Sequence, residues 1–167
     1  MAFHNAQTEQ MAAFIRSTGI EVVETVLTEA TFIPGIYIAE GRLLVDEDKL
    51  LYPGDLLHEA GHIALIPAVL RRFASGNVGA IEAIGDSYEV ESIAWSWAAV
   101  VELGIDPQHL FHNTGYKGHA QPLLFSFQMG VYPGLKRLEE FGMAYSPIRA
   151  AELGLSPFPA MHKWLRD

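Results

Sequence analysis

The pentapeptide His58-Glu59-Ala60-Gly61-His62, set in an apolar run from Leu56-Leu57 to Ile63-Ala64-Leu65-Ile66, constrains this chain more than any other feature. Residues four apart on a helix lie one above the other on the same face. Both imidazoles can therefore reach one tetrahedral Zn²⁺, with Glu59 beside the metal's open position. The flanks predict a helix over about Pro53 to Ile66. Tyr52-Pro53-Gly54-Asp55 supplies start signals, with Asp55 as the expected N-cap, and Pro67 supplies the stop. Leu56, Leu57, Ala60, Ile63 and Ala64 form an apolar stripe at helical spacing. Two histidines and an acid within that stripe are costly unless a partner satisfies them.

Composition sets the bounds. The 167 residues suit a single domain, 1–167, and half of them are hydrophobic against 19% charged, the balance of a globular chain. The formal charge of −9 and the lack of a Lys/Arg-rich face argue against a nucleic-acid partner. Arg71-Arg72 and Lys136-Arg137 read as solvated helix ends. The absence of cysteine removes disulfides, Cys-containing zinc sites and thiol catalysis, and fits a reducing compartment. Met1 to Gln7 lacks the basic start and apolar block of a signal peptide. The longest apolar run, Ile63 to Leu70, is too short to span a bilayer and contains Pro67. The expectation is a cytoplasmic protein with no membrane partner.

Along the chain, Thr8 to Thr18 predicts an amphipathic helix ending at Gly19, and β-branched Ile20 to Leu27 a strand or short helix. Gly35 to Ala39 and Arg42 to Val45 read as strands around a Glu40-Gly41 turn. After the motif helix, Phe73 to Gly85 reads as a connection with a helical turn at Ala80 to Ile84. A strong helix is expected from Asp86 to Leu103, stopped by Gly104. Shorter helical pieces follow at about Pro107 to His112, Gln121 to Met129 and Leu135 to Phe141. The order is a small antiparallel sheet and then helices, an α+β architecture. The aromatic and apolar tail, including Tyr132, Leu138, Phe141, Phe158 and Trp164, reads as core packing.

Two histidines leave the ion short of a ligand, and without cysteine the third must be His, Asp or Glu. A third histidine six residues after His62 is ruled out, because Leu65 and Ala68 occupy the needed Gly and His places. The next long helix offers Glu89 and Glu91. On a helical wheel Val90, Ile93, Ala94, Trp97, Val100 and Val101 define its core face. Glu89 flanks that face beside Ile93. Glu91 lies on the other flank, in line with Glu102, which is expected to be solvated. Glu89 is the nearer, but an N-terminal capping box with Asp86 is a competing use for it. Both glutamates stay open as the third ligand, with Glu82 and Asp86 behind them.

These residues carry a family resemblance. A helix bearing His58-Glu59-Ala60-Gly61-His62, preceded by a hairpin, is followed by Glu89-Val90-Glu91-Ser92-Ile93-Ala94-Trp95-Ser96-Trp97. Together they resemble the ImmA/IrrE-type family of small gluzincin-like metallopeptidases, whose second motif is similar to Glu-x-Glu-Ala-Asn-x-Phe-Ala-Ala. In that register Glu89 falls on the first Glu, Ser92 on the small residue and Trp95 on the aromatic. The likeness covers about Ile36 to Leu103 and implies a zincin-like fold and peptide-bond hydrolysis. The chain departs from the pattern at Ile93 and Trp97, lacks the Leu-Met-Pro that follows the family's helix, and carries no helix-turn-helix segment.

The chemistry these residues permit is metal-assisted hydrolysis. Zn²⁺ activates a water and polarises the scissile carbonyl. Glu59 takes the water's proton as general base and passes it to the leaving amine. A developing oxyanion needs a further donor. The donor-rich stretch His109 to His119 offers Tyr116 and His119, flanked by glycines. Asp86 is a candidate to orient the ligating rings. A peptide or protein substrate can add as a strand to the edge of the hairpin at Gly35 to Val45. The expectation is a zinc-dependent metallopeptidase. The same ligands serve a hydrolase of a non-peptide amide, and a non-catalytic binding domain of this fold is the other class. Glu59 speaks against the last, because a retired site has no use for a general base. Oligomeric state is left open.

Overall fold

The computed structural model describes residues 2–167, an α+β arrangement of a three-stranded mixed sheet and six α-helices. The first helix, α1 (Ala6–Ser17), starts at Asn5, whose side chain accepts the N–H groups of Gln7 and Thr8. It buries Met11, Ala12 and Ile15. The strands are β1 (Val22–Glu24), β2 (Ile36–Ala39) and β3 (Arg42–Val45), in the order β1-β3-β2. Glu40 and Gly41 both have positive φ, 53° and 77°, the backbone a tight two-residue hairpin requires.

The expected antiparallel sheet is corrected in one respect. β2 pairs antiparallel with β3, but β1 lies parallel to β3 on its other side, with Val22 opposite Leu43. That leaves β2 as the outer edge on the hairpin side. There the Ile36 N–H already donates to the Ile33 carbonyl (3.1 Å), and the Ile38 carbonyl accepts the Gly76 N–H (2.8 Å). A peptide adding to this edge must displace both.

The motif helix, α2 (Asp55–Leu65), is buried on nearly every side, which explains its almost continuous apolar sequence. α1 and β3 pack against it, and α3 (Glu89–Leu103) makes the largest contact. The N-cap of α2 is Gly54, not Asp55, which is the first helical residue and uses its carboxylate elsewhere. A Cβ on Gly54 would fall 2.0 Å from the His109 carbonyl oxygen, so only glycine lets the 109–110 backbone cross this helix start.

α3 begins three residues later than expected. Asp86 accepts the Tyr88 N–H, Tyr88 takes a left-handed conformation (φ 54°), and the first helical residue is Glu89. The predicted core face is also corrected: Val90 and Val101 are exposed, whereas Glu91, Ser92, Trp95, Ser96, Ala98 and Ala99 are buried with the rest. Flanked on more than one side, this helix has no single apolar arc for a wheel to find. Beyond it come 3₁₀ turns at Pro107–His109 and Tyr116–Gly118, then α4 (Ala120–Gln128), α5 (Leu135–Glu140) and α6 (Pro147–Leu153). The turn expected at Ala80 to Ile84 is present, the Ile81 carbonyl accepting the N–H groups of Ile84 (2.9 Å) and Gly85 (3.0 Å), and a 3₁₀ turn at Val78–Ala80, capped by Asn77, precedes it.

The two basic pairs are not simply solvated ends. Arg71 donates to the carbonyls of Ile63, Ile66 and Arg166, and burial lowers its pKa. Arg137 faces Asp86 at 2.9 Å and Glu91 at 3.5 Å. Among the described residues no helix is long and apolar enough to cross a membrane.

Candidate metal centre

His58 and His62 project from one face of α2 with their rings nearly perpendicular, centroids 4.6 Å apart and Nε2 atoms 3.1 Å apart. Glu89 enters from the first turn of α3. Its Oε1 lies 3.4 Å from His58 Nε2 and its Oε2 3.2 Å from His62 Nε2. One ligand atom from each residue thus falls within 4.8 Å of the other two. The hydrogen bonds to His58 and His62 hold the Glu89 carboxyl well below the usual carboxylate range. Burial opposes charge on His62, but Glu89 and the nearby Glu59 outweigh it, so its pKa is raised above 6.5.

The outer atoms of the rings bear on what the inner ones can do. His62 Nδ1 lies 2.6 Å from the Ser87 carbonyl oxygen and 3.1 Å from Ser92 Oγ. A carbonyl only accepts, so Nδ1 carries the proton and the Nε2 lone pair of the neutral ring faces Glu89. Ser87 therefore does the orienting that Asp86 was expected to do; Asp86 is spent on Tyr88 and Arg137. Among the described residues His58 Nδ1 is buried with no hydrogen-bond partner, and its ring is oriented by packing against His62 and Tyr116. Two imidazole nitrogens and a carboxylate converging on one point form a donor set that fits a first-row divalent ion.

The other expected residues fall in different places. Glu91 is buried beside Arg137 and does not belong to this group. Glu59 is half-buried on the same helix, one residue past His58. Tyr116 comes to the site, its ring edge-on to His58 with centroids 5.4 Å apart. Burial, reinforced by the charges of Asp55, Glu89 and Glu59, pushes its phenol pKa up, so it remains a neutral donor. His119 is exposed and does not belong to the converging group.

One pair escaped the sequence reading. His112 Nε2 lies 2.7 Å from Asp55 Oδ1, joining the 109–119 stretch to the start of α2. No local spacing links residues 57 apart, so only the fold reveals them. A second acidic group, His4, Glu24 and Glu47, also comes together, but both Glu47 oxygens accept backbone N–H groups of His4 and Asn5 (2.8 and 2.7 Å). That carboxylate fastens the N-terminal segment. No family model, curated protein or solved structure matches the chain.

Proposed function

We propose that this chain is a zinc-dependent metallopeptidase with a zincin-like fold, its metal held by His58, His62 and Glu89. The observation that carries the reading is the convergence of the two Nε2 atoms and the Glu89 carboxylate, 3.1 to 3.4 Å apart. The resemblance of the two motifs to the ImmA/IrrE-type metallopeptidases supports it. Of the two glutamates considered, Glu89 is the ligand proposed, because the Glu91 carboxylate is turned to Arg137.

Zinc, when bound, supplies an activated water and polarises the substrate carbonyl. The chain supplies the rest. Glu59 accepts a proton from the attacking water and delivers it to the leaving nitrogen as the C–N bond breaks. Tyr116, kept neutral by its surroundings, donates a hydrogen bond to the oxygen that gains charge. The Ser87 carbonyl holds the His62 ring in its ligating tautomer.

Elemental analysis tests the centre. The expected result is about one zinc per chain, lost in His58→Ala and Glu89→Ala and retained in Glu91→Ala. No zinc after reconstitution, or loss with Glu91 in place of Glu89, would refute the assignment. Hydrolysis of a mixed peptide library by the zinc-loaded protein, and not by Glu59→Gln, tests the reaction.

A further inference from the structure

Both ring nitrogens of His112 are engaged. Nε2 faces Asp55 Oδ1 at 2.7 Å, and Nδ1 faces Thr114 Oγ1 at 3.1 Å. The ring also stacks on Tyr52, with centroids 3.8 Å apart and planes 7° from parallel. Asp55 opens α2 and Tyr52 lies three residues before it, so His112 is bound to the start of that helix in two independent ways. The contact is largely covered: the side chains of His112 and Asp55 are 11% and 16% exposed. A carboxylate–imidazole hydrogen bond of this length, shielded from water, is among the stronger polar contacts a protein makes.

Directly after this anchor the backbone turns sharply. The Gly115 N–H donates to the His112 carbonyl (3.0 Å), and Tyr116 and Lys117 both take left-handed conformations, φ 54° and 53°. Side-chain-bearing residues hold such conformations only where the surroundings impose them. Here the result of the turn is the Tyr116 ring standing edge-on to His58. His112 has no free nitrogen to offer a substrate, so it acts on the site through what it holds: the start of α2 on one side and the turn that carries Tyr116 on the other.

We infer that the Asp55–His112 pair is a positioning device that fixes Tyr116 beside the metal-binding His58. The inference rests on the metallopeptidase reading, in which Tyr116 is the chain's own donor to the reacting group. Asp55 then links the two halves of the site: it opens the helix that carries the histidines and tethers the loop that carries the phenol.

The test uses Asp55→Asn, His112→Phe, which keeps the stack on Tyr52 and leaves α2 untouched, Tyr116→Phe, and the double variant His112→Phe/Tyr116→Phe. Amide hydrogen exchange is read at residues 113–119, and binding of acetohydroxamate to the zinc-loaded proteins is read by calorimetry. Exchange at 113–119 is expected to rise about tenfold or more in Asp55→Asn and His112→Phe, with α3 unchanged. Acetohydroxamate should bind about equally weakly to Tyr116→Phe, to His112→Phe and to the double variant, because residues acting as one unit do not add. Unchanged exchange overturns the proposal. So does a double variant whose loss is the product of the two single losses, since His112 would then stabilise the loop without serving Tyr116. A wild-type protein that takes up no zinc refutes the metallopeptidase reading instead, and exchange at 113–119 alone then decides whether the pair holds the loop.

Discussion

Glu59 is the residue whose replacement separates binding from chemistry. It follows His58 on α2 but is absent from the converging donor set, so the proposed metal site does not use it. Glu59→Gln should therefore retain the metal and lose about 10²- to 10⁴-fold in peptide hydrolysis, the usual worth of a positioned general base. Metal content and rate measured on the same sample check this; metal lost in parallel with rate would make Glu59 a ligand. His62 carries a prediction about pH. Its folded pKa is raised above 6.5, and a ligating imidazole must be neutral. In the metal-free protein its protonated form contributes stability that is full below 6.5 and lost as pH rises through the raised value. Metal affinity runs the other way, and should begin to fall while the pH is still above 6.5. Chelator competition at a series of pH values reads the onset, which should move lower in Glu89→Gln, where the hydrogen bond that raises the pKa is weakened. At this scale the histidines were legible because their spacing is local. The choice between Glu89 and Glu91 was not, because both are near the core and what separates them is Arg137, from an element 46 residues beyond Glu91.

The α2–α3 contact decides whether the three proposed ligands meet. Gly61 lies between the two histidines, and a Cβ there would come within 3.0 Å of the Ser92 carbonyl oxygen, 3.1 Å of Ser92 Cα and 3.2 Å of its Cβ. On the same seam Ser96 Oγ donates to the Ser92 carbonyl (2.6 Å) and lies 3.2 Å from the Leu57 carbonyl oxygen. Gly61→Ala sets two effects against each other. Helix propensity favours alanine by about 1 kcal/mol, whereas contact with α3 backbone forces the helices apart, and overpacking costs about 1–3 kcal/mol. The second should win, because the obstructing atoms are backbone held in a helix and cannot turn aside. Since separation also draws Glu89 from the histidines, zinc affinity should fall with stability. Unchanged affinity in a chelator titration would show that the seam can open without disturbing the ligands. The helices themselves were legible from periodicity and caps, and α1, α4 and α5 end within two residues of expectation. The parallel pairing of β1 was not, because it joins strands about 20 residues apart with no turn chemistry to announce it.

Over the whole molecule, residues 164–166 return to the helix that carries His58 and His62. The Arg166 N–H donates to the Ala64 carbonyl (2.9 Å) and its guanidinium to the Leu65 carbonyl (3.3 Å), satisfying acceptors that a helix C-terminus leaves free. The same guanidinium reaches the Tyr88 hydroxyl (3.2 Å) and lies 3.8 Å from the centre of the Phe141 ring. Nearby, the Trp164 carbonyl accepts the Trp95 Nε1–H (2.9 Å), and its ring packs edge-on against Phe14 and Trp95. The two residues differ in what they join. Trp164 packs between α1 and α3 as core material. Arg166 bridges the last turn of α2 to Tyr88, the residue immediately before Glu89, so it ties together the two elements that present the ligands. Trp164→Ala, at a partly buried position, should cost about 2 kcal/mol, somewhat below the loss for a fully buried aromatic, with little change in metal affinity beyond that of folding. Arg166→Ala should cost less stability, about 1 kcal/mol for its hydrogen bonds and ring contact, yet weaken zinc binding the more. Denaturation midpoints of the metal-free proteins, beside chelator titrations of the loaded ones, measure both quantities. The ranking by stability and the ranking by affinity should be opposite; if both place Trp164 first, the C-terminal segment serves the core alone and the α2–Tyr88 bridge has no part in holding the metal.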